Sequence, residues 1–186
     1  MTKLLQNNKH KFTFKIADHS NIKDIVRLVE SAYRGESSRQ GWTTEATFIE
    51  GQRTDEREVI ELMNKPGSIF ILCHDAEKLI GSVQIEKQQD KTYLGMFAVD
   101  PERQGDGIGS MLLSQAEAYA RDEWVCKAMQ MTVITIRKEL IDWYVRNGYT
   151  PTGELKKFPY EEPRFGKPTR DDLTLETYEK LFNSQS

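Results

Sequence analysis

The rhythm of apolar and polar positions changes several times along the chain, and each change marks an element. Phe12–Ile16 alternates as a first strand. Asp18 or Ser20 can cap the helix that follows, whose apolar face is Ile22, Ile25, Val26, Leu28 and Val29. Thr54 is expected to cap a second helix, with Asp55 and Glu56 in its first turn, where carboxylates favour the helix dipole. Pro66-Gly67 then breaks the pattern. Ser68–His74 and Lys78–Lys87 read as two strands joined by a short turn around Asp75–Glu77, and Lys91–Val99 as the third strand of a meander.

The segment YLGMFAVDPERQGDGIGSMLLS, residues 93–114, is the most informative in the chain. An apolar strand runs into Asp100-Pro101, then a glycine-rich turn, then an amphipathic helix. Gly105, Gly107 and Gly109 remove side chains where the backbone must approach a ligand. The first N–H groups of the helix have no intrahelical acceptor, so the turn can donate to a phosphate. A dinucleotide fingerprint would need glycine where Ser110 stands, and a Walker A loop would need a lysine, yet none lies between Lys91 and Lys127. An ordinary strand-to-helix turn stays open on the glycines alone.

A second motif lies in residues 129–154. Met129, Met131, Val133 and the β-branched run Thr132–Ile136 read as a buried strand, and Leu140, Ile141, Tyr144 and Val145 recur on one helical face. Asn147-Gly148 stops that helix, because left-handed geometry costs Gly nothing and Asn little. Strands at Thr150–Leu155 and Asp172–Tyr178 follow, separated by a Pro-rich excursion from Phe158 to Pro168.

The spacing Gln104-x-x-Gly107-x-Gly109 resembles the acyl-CoA pyrophosphate loop of the GCN5-related N-acetyltransferase (GNAT) superfamily. Tyr144-x-x-x-Gly148-Tyr149 resembles the helix in which that family's tyrosine faces the cofactor sulfur. Two motifs in the family's order and separation favour acyl-CoA over an ordinary turn. The resemblance covers nearly the whole chain. It implies an α/β, single-domain fold over residues 1–186, with residues 1–10 frayed. Its central sheet would be mixed, mostly antiparallel, of about seven strands flanked by helices in the order β-α-α-β-β-β-α-β-α-β-β.

The same resemblance implies site residues. Gln104, Gly105, Asp106, Gly107, Ile108, Gly109 and Ser110 would hold the acetyl-CoA pyrophosphate. The backbone of Phe97, Ala98 and Val99, on a strand splayed from its neighbour, would bond the pantetheine arm as an added strand does. Tyr144 would be the acid for the departing thiolate. Many family members carry Asn seven residues before that tyrosine, where this chain has Arg137; here Arg137 is expected to pair with a cofactor phosphate or lie solvated at the helix start. The base is open between Glu36, Glu45, Glu86 and water. Tyr33–Arg53 and Phe158–Arg170 would border the acceptor, with Trp42, Phe158, Tyr160, Arg164 and Phe165 among their aromatic and cationic residues. They would form either a pocket for a small amine bearing an acidic group or a packed lid.

Composition narrows the partners. The 186 residues carry a net charge of −3, with both signs mixed among the 30% charged residues, so no basic field argues for nucleic acid or anionic membrane. Two cysteines and three histidines without metal spacing suggest neither a disulfide framework nor a metal site. No apolar leader or spanning run is present, and the expectation is a cytoplasmic enzyme. The partners expected are acetyl-CoA and a small amine, and a homodimer is compatible. Peptide or protein N-acetylation and a non-catalytic acetyl-CoA sensor are the alternatives.

Overall fold

A computed structural model describes residues 4–5, 12–34, 38–39, 41, 43–162 and 166–182. Its frame is an antiparallel meander of β4 (Ser68–Asp75), β5 (Lys78–Gln88) and β6 (Lys91–Val99). Two edges extend it. On one side lie β2 (Thr13–Ile16) and the two-residue β1 (Leu4–Leu5); on the other lie β7 (Ala128–Ile134), β10 (Thr174–Leu181) and β8 (Thr150–Lys157). The sheet order is β1-β2-β4-β5-β6-β7-β10-β8, with β6–β7 the parallel pair. Setting the two-residue β1 aside, this is the mostly antiparallel seven-strand sheet that was expected.

Both faces of the meander are covered, which is why Ile80–Ile85 of β5 is buried without alternation. On one face α1 (Ile22–Tyr33) packs Ile25, Leu28 and Val29 against Phe70, Leu72, Met96 and Ala98. On the other, α3 (Ile108–Ala118) packs Ile108, Leu112 and Leu113 against Ile71, Ile80 and Val83. Asp18 starts the first helical segment with a capping box: its carboxylate accepts from Ser20 N–H, and the Asn21 side chain accepts from Asp18 N–H.

Some local expectations are corrected. The cap of α2 (Glu56–Asn64) is Asp55, not Thr54; the Asp55 carboxylate accepts from Glu58 N–H at 2.7 Å, and the Thr54 hydroxyl is spent on the Glu58 side chain. On α4 (Lys138–Arg146) Tyr144 is buried, but Val145 is 49% exposed, because one helical step carries it past the core. Two-residue strands β3 (Ile49–Glu50) and β9 (Lys167–Pro168) pair with each other, outside the expected order. Of the start expected to fray, residues 4 and 5 pair with Lys15 and Phe14; residues 1–3 and 6–10 lie outside the described residues.

Candidate active site

A break in β6 opens the site. Register with β5 shifts between Ser82 and Gln84, and Met96 takes φ +39°, a left-handed conformation that costs a non-glycine residue about 1–3 kcal/mol. The extra residue reverses the alternation: Leu94 packs on the α3 face, whereas Met96, two positions on, packs on the α1 face. Pairing with β7 covers only Lys91, Thr92 and Tyr93. From Leu94 to Val99 the β7-facing edge of β6 has no ladder partner, and Tyr93 and Thr132 join hydroxyls at 2.8 Å where the opening begins.

Beyond β6 the chain turns through Gly105 (φ +99°) and Gly107 (φ +78°) into α3. A Cβ at either glycine would meet nothing within 4 Å, so the turn faces open space while demanding glycine geometry. The first intrahelical bond runs from Met111 N–H to Gly107 C=O, leaving the N–H groups of Ile108, Gly109 and Ser110 ahead of it at the positive end of the helix dipole. At Gly109 a Cβ would lie 3.4 Å from the Trp143 ring, in ordinary van der Waals contact, so the helix start runs close against that ring. An open glycine turn at a helix start, beside an unpaired strand edge, is a donor set that fits the diphosphate and amides of acetyl-CoA.

Tyr144 sits where two cavities meet. One, of about 560 Å³, is lined by Phe97, Val99, Gln104, Gly105, Gly107, Ile108, Gly109 and Ser110, with Arg103 and Trp143. The other, of about 260 Å³, runs between the parted strands toward Glu45, Arg53 and Phe158. Tyr33, Phe97, Arg137, Leu140 and Tyr144 line both. Trp143 packs edge-on against Phe97 and Tyr144, at 5.8 and 5.0 Å, and holds the Tyr144 ring in place. Burial drives the Tyr144 phenol well above its ordinary value, with a smaller push from Tyr33, so it keeps its proton across the neutral and alkaline range.

The inner cavity is lined by charge and bordered by a short strand pair. The buried Glu45 carboxylate accepts from Arg34 at 2.7 Å and Arg137 at 3.0 Å. Burial alone would push that carboxyl up; the guanidiniums of Arg137, Arg53 and Arg34 outweigh it and hold Glu45 below the usual range. Arg137 also donates to the Thr43 carbonyl at 2.5 Å and lies 5.7 Å from the Tyr33 ring centre. Ile49 and Glu50 pair with Pro168 and Lys167, and Phe48, Ile49, Ile134, Phe158 and Leu173 pack as a small core over this end.

The geometry gathers most of the sequence-identified residues and sets others aside. Ala98 lies with its side chain in the α1 core, and the Asp106 carboxylate pairs with Arg103 at 2.8 Å; neither lines a cavity. The Phe97 carbonyl already accepts a bond from the Tyr33 hydroxyl, and Gln104 turns back to donate to Thr43. Arg137 is not solvated: its side chain is 9% exposed. Among the candidate bases, Glu45 is locked between arginines, Glu86 is paired with Lys65 at 2.7 Å and lines neither cavity, and Glu36 lies outside the described residues, as do Trp42, Arg164 and Phe165. Tyr33 and Thr43 fall within the segment expected to border the acceptor but were not singled out, and Arg103 and Trp143 were missed; of these two, Trp143 carried a signal, as an aromatic beside the singled-out tyrosine.

Known proteins share this fold. A spermidine N-acetyltransferase chimera from Vibrio cholerae superposes with a TM-score of 0.66 at 18% identity, over 92% of this chain and 96% of that one. A ribosomal-protein alanine N-acetyltransferase from Escherichia coli gives 0.69 at 11%, over 94% and 96%. A provisionally named streptothricin acetyltransferase from Bacillus anthracis, in complex with acetyl coenzyme A, gives 0.56 at 19%, over 67% and 68%. A search of curated proteins returned no match. The sequence model of the acetyltransferase (GNAT) family matches residues 27–149, more than half the chain and a span that holds β6, the glycine turn and Tyr144. The chain therefore belongs to the GNAT family, the acetyltransferases that draw their acetyl group from acetyl-CoA.

Proposed function

We propose that the protein moves an acetyl group from acetyl-CoA to a primary amine of a small molecule by direct attack in a ternary complex. The observation that carries this is the meeting of the two cavities at Tyr144. Acetyl-CoA supplies the acetyl group as a thioester. The N–H groups of Ile108, Gly109 and Ser110, with the glycine turn, would hold its diphosphate, and the free edge of β6 around Phe97–Val99 its pantetheine arm. The amine loses one proton to water, its nitrogen bonds to the acetyl carbon, and the carbon–sulfur bond breaks. Tyr144, protonated in its buried setting, gives a proton to the departing sulfur and regains one from the acylated nitrogen through solvent. Glu45 is a poor base because two guanidiniums stabilise its ionised form. Its work is to fix Arg34 and Arg137.

The inner cavity, about 260 Å³ and bordered by Ile49 and Phe158, suits a small acceptor better than a protein terminus. The sensor alternative leaves the placement of Tyr144 between the cavities without a use. Among the described residues no helix is long and apolar enough to cross a membrane, and Cys73 and Cys126 are both buried. A panel of primary amines with acetyl-CoA, read by thiol release, tests the proposal. Release with at least one amine supports it; CoA binding without release for any amine supports the sensor reading.

A further inference from the structure

Building on the acetyl-transfer reading, we infer that the acceptor carries a carboxylate beside its amine, and that Arg53 binds it. Charge in the inner cavity does not balance. Glu45 is shared by Arg34 and Arg137 at 2.7 and 3.0 Å, which leaves it fully engaged. Arg53, on the same cavity wall, lies with its guanidinium 5.6 Å from the Tyr33 ring centre, and among the described residues no carboxylate reaches it. Glu30 does approach, but its carboxylate accepts from the backbone N–H groups of Arg53 and Thr54 at 2.6 and 2.7 Å, anchoring the root of the side chain to α1. Arg170, in the late segment expected to border the acceptor, does not line this cavity and is by contrast already paired with Asp172.

Arg53 feels the Glu45 charge through space but bonds no carboxylate among the described residues, so the wall presents a half-buried guanidinium whose fork is unfilled, stacked on an aromatic ring and held at its base. A guanidinium fork so placed matches a carboxylate with two parallel hydrogen bonds. The space is small, about 260 Å³, below the range of about 300–1,000 Å³ that drug-sized ligands fill. An amino acid or a molecule of similar size fits both limits. A polyamine does not: its second ammonium about 6 Å from Arg53 would be repelled, at an effective dielectric of about 20, by enough to weaken binding roughly a hundredfold.

The test is an acetyl-CoA thiol-release assay with α- and ω-amino acids, their carboxamides, and spermidine. The inference expects an amino acid to exceed its carboxamide by at least about thirtyfold in kcat/KM, with spermidine the poorest acceptor. In Arg53→Gln that ratio should fall below about fivefold, the loss appearing in KM for the amino acid, while melting temperature reports that the variant is folded. Arg53→Lys, which keeps the charge and lacks the fork, should give an intermediate ratio and still reject spermidine. Equal turnover of acid and carboxamide, preference for spermidine, or an unchanged ratio in both variants overturns the inference and leaves acetyl transfer standing. No thiol release from any amine, despite CoA binding, overturns the acetyl-transfer reading and the inference with it.

Discussion

The Tyr33 hydroxyl donates to the Phe97 carbonyl at 2.5 Å, tying the end of α1 to the strand edge that the Met96 bulge frees. The two residues are 64 positions apart and line both cavities, so this one bond sits where the cavities meet.

Tyr33→Phe removes that bond and little else. A buried hydrogen bond contributes about 1 kcal/mol net, and the freed carbonyl faces a cavity that water can enter, so the cost stays near that figure. For a chain of this size the melting temperature should fall by about 2–4 °C. A melting curve unchanged within error would mean that the bond adds nothing.

Tyr144→Phe should behave in the opposite way. Among the described residues its hydroxyl has no hydrogen-bond partner, and the ring stays packed on Trp143 and Tyr149, so melting should move by less than about 1 °C. The single-turnover rate should drop on the order of ten- to a thousandfold if the phenol protonates the leaving thiolate. The drop should shrink with thioesters of more acidic thiols. In the wild type, rate should climb with pH as the acceptor ammonium loses its proton and show no fall up to about pH 10, because burial keeps the Tyr144 proton in place beyond its ordinary value of 10.0.

The Glu45 pair should show in acid. Its folded-state pKa lies below the ordinary 4.5, so its stabilisation is complete above that value and is lost as pH falls below it toward the folded value. Glu45→Gln leaves two buried guanidiniums without their anion, which costs about 3–5 kcal/mol. Melting temperatures from pH 3 to 7 should show a steep acid limb in the wild type and a lower, flatter profile in the variant. Parallel profiles would contradict the pairing.

The sequence held the parts of the site that obey local rules. Gly105 and Gly107 announce positive φ, and Asn147-Gly148 ends α4, because no other residues take those conformations cheaply. Strands β4 to β6 carry enough apolar length to be found. Met96 gave no sign of a bulge, since methionine has no preference for left-handed backbone; tertiary packing imposes it. Arg137 looked solvated because its partner Glu45 is 92 residues away. β3 and β9 have two residues each, too few for any period to appear. At α2 both Thr54 and Asp55 are capping types, and the carboxylate took the position.

The central claim is that acetyl-CoA is held by the glycine turn at the mouth of the parted strands, and direct titration of CoA into the protein measures it. The wild type should bind one CoA per chain. Gly107→Glu places a side chain at φ +78° and a negative charge where the diphosphate would sit, so it should retain a cooperative melt and bind CoA at least about a hundredfold more weakly. A folded Gly107→Glu variant with wild-type CoA affinity would contradict the account.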